Sequence, residues 1–190
     1  MEIRRLNEAA MTGSVTTLLE LLQGDPLLLD KVMVAAFLPE NPLHIAAMLG
    51  HVDFVKEILS RKPELARELN SQGSSPLHLA SAKGHIEIVK EILRSDDPDV
   101  GCFVRDQEGR ISLHLAAIKG RVEIVKEFIR AKPELTREMT DQGETILHLC
   151  VKYNQFEVFK IVEDEELLMA KDSEGNTVLH LAAAKRQIQA

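Results

Sequence analysis

Tryptophan is missing from this 190-residue chain, tyrosine occurs once, and aromatic residues make up only 4 % of it. With a hydrophobic share of 45 %, its core must be built from Leu, Ile, Val and Ala, which suits small, regularly stacked helices. Cysteine is nearly as scarce. Cys102 and Cys150 cannot staple a secreted domain of this size and read as free thiols of a reducing compartment. No apolar run approaches the ~18 residues of a membrane span; the nearest candidate, 27–38, is broken by Asp30 and Lys31. The N-terminal MEIRRLNEAAMTG lacks the apolar stretch of a secretory signal. A cytoplasmic chain without membrane contact of its own is expected. Positive charge is in deficit too. A formal net charge of −7 argues against a general nucleic-acid binder, because little would displace counterions along a phosphate backbone; solubility is its plainest consequence.

What is present is a repeat. Leu-His recurs at Leu43-His44, Leu77-His78, Leu113-His114, Leu147-His148 and Leu179-His180, the histidines 34, 36, 34 and 32 residues apart. Six residues after the first three histidines stand Gly50, Gly84 and Gly120; Asn154 and Arg186 take that place in the last two copies. The N-terminal segment fits more weakly, with Asn7 at the histidine position and Gly13 at the glycine. A second apolar block follows each glycine. Residues 52–59, 86–93 and 122–129 share apolar residues at i, i+2, i+3, i+6 and i+7, an amphipathic helix with charges on its other face. Each unit is thus a short Ala-rich helix, a glycine turn, a second helix and a polar loop. The loops hold Gln72-Gly73, Glu108-Gly109, Gln142-Gly143 and Glu174-Gly175, where glycine admits the positive φ of a tight turn.

A unit of about 33 residues with T-P-L-H-x-A, read here as Ser75-Pro76-Leu77-His78-Leu79-Ala80, resembles the ankyrin repeat family. The resemblance implies an all-α ankyrin-repeat solenoid of helix-turn-helix units joined by β-hairpin-like loops. One array is expected over 1–190: an N-terminal repeat at 1–35, repeats at 36–69, 70–105, 106–139 and 140–171, and an incomplete sixth at 172–190. Glu40-Asn41-Pro42-Leu43-His44, Lys62-Pro63-Glu64-Leu65, its echo Lys132-Pro133-Glu134-Leu135, and Gly175-Asn176-Thr177-Val178-Leu179-His180 look most like plant membrane-anchored ankyrin proteins with a C-terminal Pro-Gly-Gly domain. That resemblance implies a signalling protein of plant immunity or stress response, held at the cytosolic face of a membrane by helices outside these residues.

Three departures stand out. Residues 32–39 replace the glycine turn expected before the second repeat. Lys62-Pro63 and Lys132-Pro133 stand where glycine usually follows the second helix, and proline there predicts an extra short turn. Finally, Gln187-Ile188-Gln189 reads as the opening of another second helix, so a longer product is expected, with an open C-terminal repeat through which copies could self-associate.

Chemistry is expected to be absent. Histidines one repeat apart cannot converge on a metal ion, and the resemblance implies that each bridges loop and helix backbones. His148 and Cys150 point about 200° apart on one helix, which rules out a nucleophile–base pair; Cys150 takes the place of Ala46, Ala80 and Ala116 and reads as core. The acidic run 163–166 lacks calcium-loop spacing and reads as a solvated loop. No enzyme activity, metal or cofactor is expected.

The partner is another protein, and the resemblance places it along loop tips and the exposed side of the first helices. The helix positions lie four and five residues after each motif histidine. They give Met11, Met48, Leu49, Lys83, Ile118, Lys119, Lys152, Tyr153 and Lys185; the loops add Gln72, Ser74, Gln107, Arg110, Gln142 and Glu144, and the irregular segment Phe37 and Leu38. An acidic partner segment with an apolar anchor would fit this set, its approach weakened by salt. Two plainer readings stay open: lysines are common on solvated helices, and Met11, Met48 and Leu49 could be N-terminal core.

Overall fold

Three of the first helices start where a side chain caps them. Asn41, Ser75 and Thr145 accept the backbone N–H of the histidine three residues on, at 3.0, 3.3 and 3.5 Å. The histidine Nδ1 in turn accepts the backbone N–H of the capping residue, at 3.4, 3.1 and 3.2 Å. Two orphan donors are satisfied reciprocally. Pro42 and Pro76 sit in the first turn, where a missing N–H costs nothing. Ile111 has no acceptor, so at that repeat only the bond from its N–H to His114 Nδ1 forms, at 3.2 Å.

The structure, a computed structural model, describes residues 2–34, 39–94, 101–162 and 164–185. Contacts divide it into two compact units, Met1–Val104 and Arg105–Ala190. The first holds α1 (Glu2–Thr12), α2 (Val15–Gly24), α3 (Leu28–Val34), α4 (Pro42–Leu49), α5 (Val52–Arg61), a 3-10 turn at Pro63–Arg67, α6 (Pro76–Lys83) and α7 (Ile86–Leu93). The second holds α8 (Ser112–Ile118), α9 (Val122–Ala131), a 3-10 turn at Pro133–Arg137, α10 (Ile146–Lys152), α11 (Phe156–Phe159), α12 (Glu165–Met169) and α13 (Val178–Ala184). No strand occurs among the described residues.

First helices stack on one another, α1 on α4 on α6 in the first unit and α8 on α10 on α13 in the second. Second helices form another layer behind them. Leu43, Ala46, Phe54, Ile58 and Leu77 close the first core, and Leu113, Ala116, Val125, Phe128 and Leu147 the second, all essentially without exposure. Burying one such Leu, Ile or Phe contributes about 1.5–3 kcal/mol. The core is aliphatic, as the composition requires.

The extra turns expected at Pro63 and Pro133 are present as 3-10 turns. Helices α3 and α12 occupy the matching place in the first and fifth repeats. The acidic run, expected as a loop, therefore enters a helix: Asp164 caps α12 by accepting the N–H of Glu166 at 3.0 Å, and Glu165 and Glu166 lie in its first turn. Carboxylates are favoured at that end by the unpaired N–H groups and the helix dipole. Phe37, Leu38, Glu163, Arg186 and 187–189 lie outside the described residues.

Loop tips are built alike. Asn70, Asp106 and Asp172 each accept two backbone N–H groups two and four residues on, within 2.8–3.0 Å. A backbone bond then closes each tip, as from Asn70 N–H to Ser74 carbonyl at 2.9 Å. These are tight four- to five-residue turns whose glycines take positive φ.

Candidate partner-binding surface

The motif histidines are consumed by the stack. His44 Nε2 lies 2.9 Å from the Ser74 carbonyl and 3.0 Å from that of Glu68; His114 reaches Glu138, and His148 reaches Asn176, at 3.0 and 3.1 Å. Because Nδ1 accepts a backbone N–H, Nε2 must carry the proton and donate, so the neutral tautomer is fixed. Burial pushes His44 and His114 down to about 4, against the carbonyl bonds that would favour the charged ring. Burial likewise pushes the Cys150 thiol up to about 12, consistent with a small core residue. Among the described residues no three His, Cys, Asp or Glu side chains gather as a metal site would need.

A second set of joints, not anticipated from the sequence, opens α5, α7 and α11. His51 Nε2 meets the Met11 carbonyl at 3.1 Å, His85 Nε2 meets that of Met48 at 3.0 Å, and Gln155 Nε2 donates to Ile118 at 3.1 Å. The glycine turn makes room for them. Gly50 adopts φ 88°, and a Cβ there would lie 2.8 Å from the His85 ring. Asn154, standing where glycine is missing, adopts φ 58°, a conformation asparagine tolerates better than other side-chain residues.

With the repeat's signature residues occupied by structure, the surface is left to variable positions. In the first unit Met11 is 57 % and Leu49 46 % exposed, and Met48 is half-buried. Met11 and Leu49 therefore lie at the surface rather than in an N-terminal core. Lys83 is exposed and holds no ion pair among the described residues; Gln72 is exposed and Ser74 half-buried.

In the second unit the structure gathers Arg110, Ile118, Gln142, Glu144, Lys152, Tyr153 and Lys185 around two neighbouring clefts. The smaller, about 210 Å³, is floored by Ile118, Leu149 and Tyr153 and walled by Glu108, Arg110, Thr140, Gln142, Glu144 and Lys152. The larger, about 380 Å³, is floored by Leu181 and Ala184 and rimmed by Gln142, Asp172, Ser173, Glu174 and Lys185. Glu144 and Lys152 line both clefts and pair at 2.6 Å. That hydrogen bond holds the Lys152 ammonium above its usual range.

The lysine ladder is less uniform than its spacing suggests. Lys152 is committed to Glu144, and Lys185 donates to the carbonyls of Val151 and Lys152 at the end of α10. Lys119 is exposed with no ion pair among the described residues, as is Gln107, which borders neither cleft. Arg110 pairs with Asp106 at 2.8 Å and with Glu108. Burial opposes ionisation of Asp106, yet the Arg110 bond and two backbone N–H groups hold its carboxyl below the usual range. Sequence reasoning missed Asp172, Ser173 and Glu174. Their signal was the three residues before each loop glycine, which vary from repeat to repeat.

The model for ankyrin repeats (3 copies) matches this chain over residues 6–104, 99–167 and 113–190. The chain belongs to the ankyrin repeat family. An ankyrin repeat-containing protein of Arabidopsis thaliana, BDA1, is 39 % identical over 64 residues. That match covers 34 % of this chain and 15 % of the plant protein. Ankyrin repeats are in general protein–protein interaction modules, and the likeness is to a plant member. No helix among the described residues is long and apolar enough to cross a membrane.

Proposed function

We propose that this chain holds a segment of another protein on the loop tips and first-helix ends of its repeats, and catalyses no reaction itself. The observation that carries this reading is the division of labour within the repeat. His44, His114 and His148, the caps and the glycines are spent on holding repeats together, while the position five residues beyond each motif histidine is exposed in every copy and is held by Leu49, Lys83, Lys119, Tyr153 and Lys185. Variable residues on a rigid scaffold are where recognition is placed.

In the first unit the proposed segment is acidic with an apolar anchor. Met11 and Leu49 offer the apolar contact, the loop tip between Asn70 and Ser75 is uncharged, and Lys83 holds no ion pair among the described residues. Phe37 and Leu38 belong to the proposed anchor by sequence position. A role in plant immunity or stress signalling, on the cytosolic side of a membrane, is proposed from the sequence resemblance, its plant origin alone being supported by likeness to a plant ankyrin protein, and the array is proposed to run unbroken through 1–190 in the six segments given above. Affinity capture with the full chain, followed by crosslinking from cysteines placed at Met11, Leu49 and Lys83 and, for comparison, at Lys56 on the outer face of α5, tests the reading. Crosslinks to one partner from these sites are expected; crosslinks only from the outer face of α5 would overturn it.

A second reading is favoured by one observation. Leu179 is 61 % exposed on α13, whereas Leu43, Leu77, Leu113 and Leu147 are at most 1 % exposed. Self-association through that face is the alternative function. Light scattering tests it, with Leu179→Glu expected to abolish any dimer; a monomer at all concentrations would remove the idea.

A further inference from the structure

The two clefts of the second unit differ in chemistry from the surface of the first, and this difference says what they fit. The loop tip of the first unit, 71–74, is uncharged. The loop tips of the second carry Glu108, Asp141, Glu144 and Glu174. Lys152 pairs with Glu144 and Arg110 with Asp106 and Glu108, while the Lys185 ammonium, bound to backbone carbonyls, keeps its charge and offsets only one of the two remaining carboxylates of the larger cleft. Asp172 and Glu174, on the rim of the larger cleft, are in no ion pair among the described residues. The Asp172 carboxyl stays below its usual range because, against some burial, the Asn176 N–H and side chain bind its charged form. It is therefore ionised across the physiological range. Leu181 and Ala184 provide an apolar floor beneath this rim, suited to the aliphatic stem of a long basic side chain. The neighbouring cleft has no such excess. Its lining is mostly polar, with Ile118 and Leu149 buried beneath it, and the exposed ring of Tyr153 is the apolar surface it presents.

We infer that the second unit is a recognition site of its own, taking a partner segment that carries an arginine or lysine beside an apolar residue. The basic group lies against Asp172 and Glu174, and the apolar side chain packs on the exposed ring of Tyr153. The Glu144–Lys152 pair stands between the two and fixes their separation. This deepens the proposed function and rests on it, but it assigns to the second unit the opposite charge preference from the first. Positive and negative segments of a partner are then sorted between the units, and binding at each weakens with salt.

The test is selection of peptides from a random phage-displayed library against the full chain, followed by titration of the resynthesised peptides. With no tryptophan and a single tyrosine in the chain, the emission of Tyr153 reports on its own cleft for peptides lacking aromatics. The expected result is enrichment of basic-plus-apolar sequences that quench or enhance Tyr153. Their affinity should fall at least about tenfold in Glu174→Lys and be unmoved by Lys83→Glu, with circular dichroism unchanged in both. Enrichment of acidic sequences alone, lost in Lys83→Glu and indifferent to Glu174→Lys, overturns this inference while the proposed function stands. Peptides indifferent to both substitutions, or no enrichment at all, overturn both.

Discussion

Glu144 and Lys152 close a 2.6 Å ion pair between a loop tip and the last turn of α10, with Glu144 only 8 % exposed. The loop tip is thereby tied to the helix on which it stands, and the wall between the two clefts is fixed.

Breaking that pair from one side should cost more than removing it whole. Lys152→Met leaves a nearly buried carboxylate unpaired, whereas Glu144→Gln with Lys152→Met leaves neutral groups. Lys152 is itself exposed, so screening limits the difference to about 1 kcal/mol. Urea denaturation of the single and double variants checks this; equal destabilisation would mean that the pair is incidental.

The buried histidines predict an acid-sensitive fold. His44 and His114 have folded values of about 4, below the ordinary 6.5, so the unfolded chain binds more protons between those limits. Stability is complete above about pH 6.5 and falls as pH drops toward 4. From pH 7 to pH 5 the loss for the two together is roughly 2–4 kcal/mol. A urea midpoint that stays flat across this interval would contradict the neutral, Nε2-donating assignment.

The capping hydroxyl can be isolated at Thr145. Its Oγ1 lies 2.8 Å from His148 Nδ1 and 3.5 Å from His148 N. Thr145→Val keeps the volume and removes the oxygen, at a cost of about 1 kcal/mol. Thermal unfolding should register it, and an unchanged midpoint would show that the backbone bond to Nδ1 suffices.

At the glycine turn two substitutions should move in opposite directions. Gly50→Ala forces a Cβ onto φ 88° and against the His85 ring, costing at least about 1 kcal/mol. Asn154→Gly relieves φ 58° and should gain a few tenths to about 1 kcal/mol. Matching signs in chemical denaturation would refute the account of the turn.

The repeat and its aliphatic core were legible because periodicity and composition record them directly. So were the turns at Pro63 and Pro133, since proline marks a helical start. Helix α12 was not legible, because a run of four acids reads as solvated until Asp164 is seen capping it. The joints made by His51, His85 and Gln155 escaped for another reason: they are long-range bonds to carbonyls, and carbonyls leave no trace in a sequence. The position five past each motif histidine is exposed in every copy, whereas Ile118 at position four is buried, and spacing alone could not show that Lys152 and Lys185 are engaged while Lys83 and Lys119 hold no ion pair among the described residues.

The central claim, that recognition belongs to loop tips and first-helix ends, is tested most directly by affinity for a captured partner across two sets of charge changes. Leu49→Glu, Lys83→Glu and Glu174→Lys alter the assigned surface; Lys56→Glu and Lys126→Glu alter the outer faces of α5 and α9. At least one of the first set should weaken binding by about tenfold or more, with the second set neutral. Loss confined to the second set would contradict it.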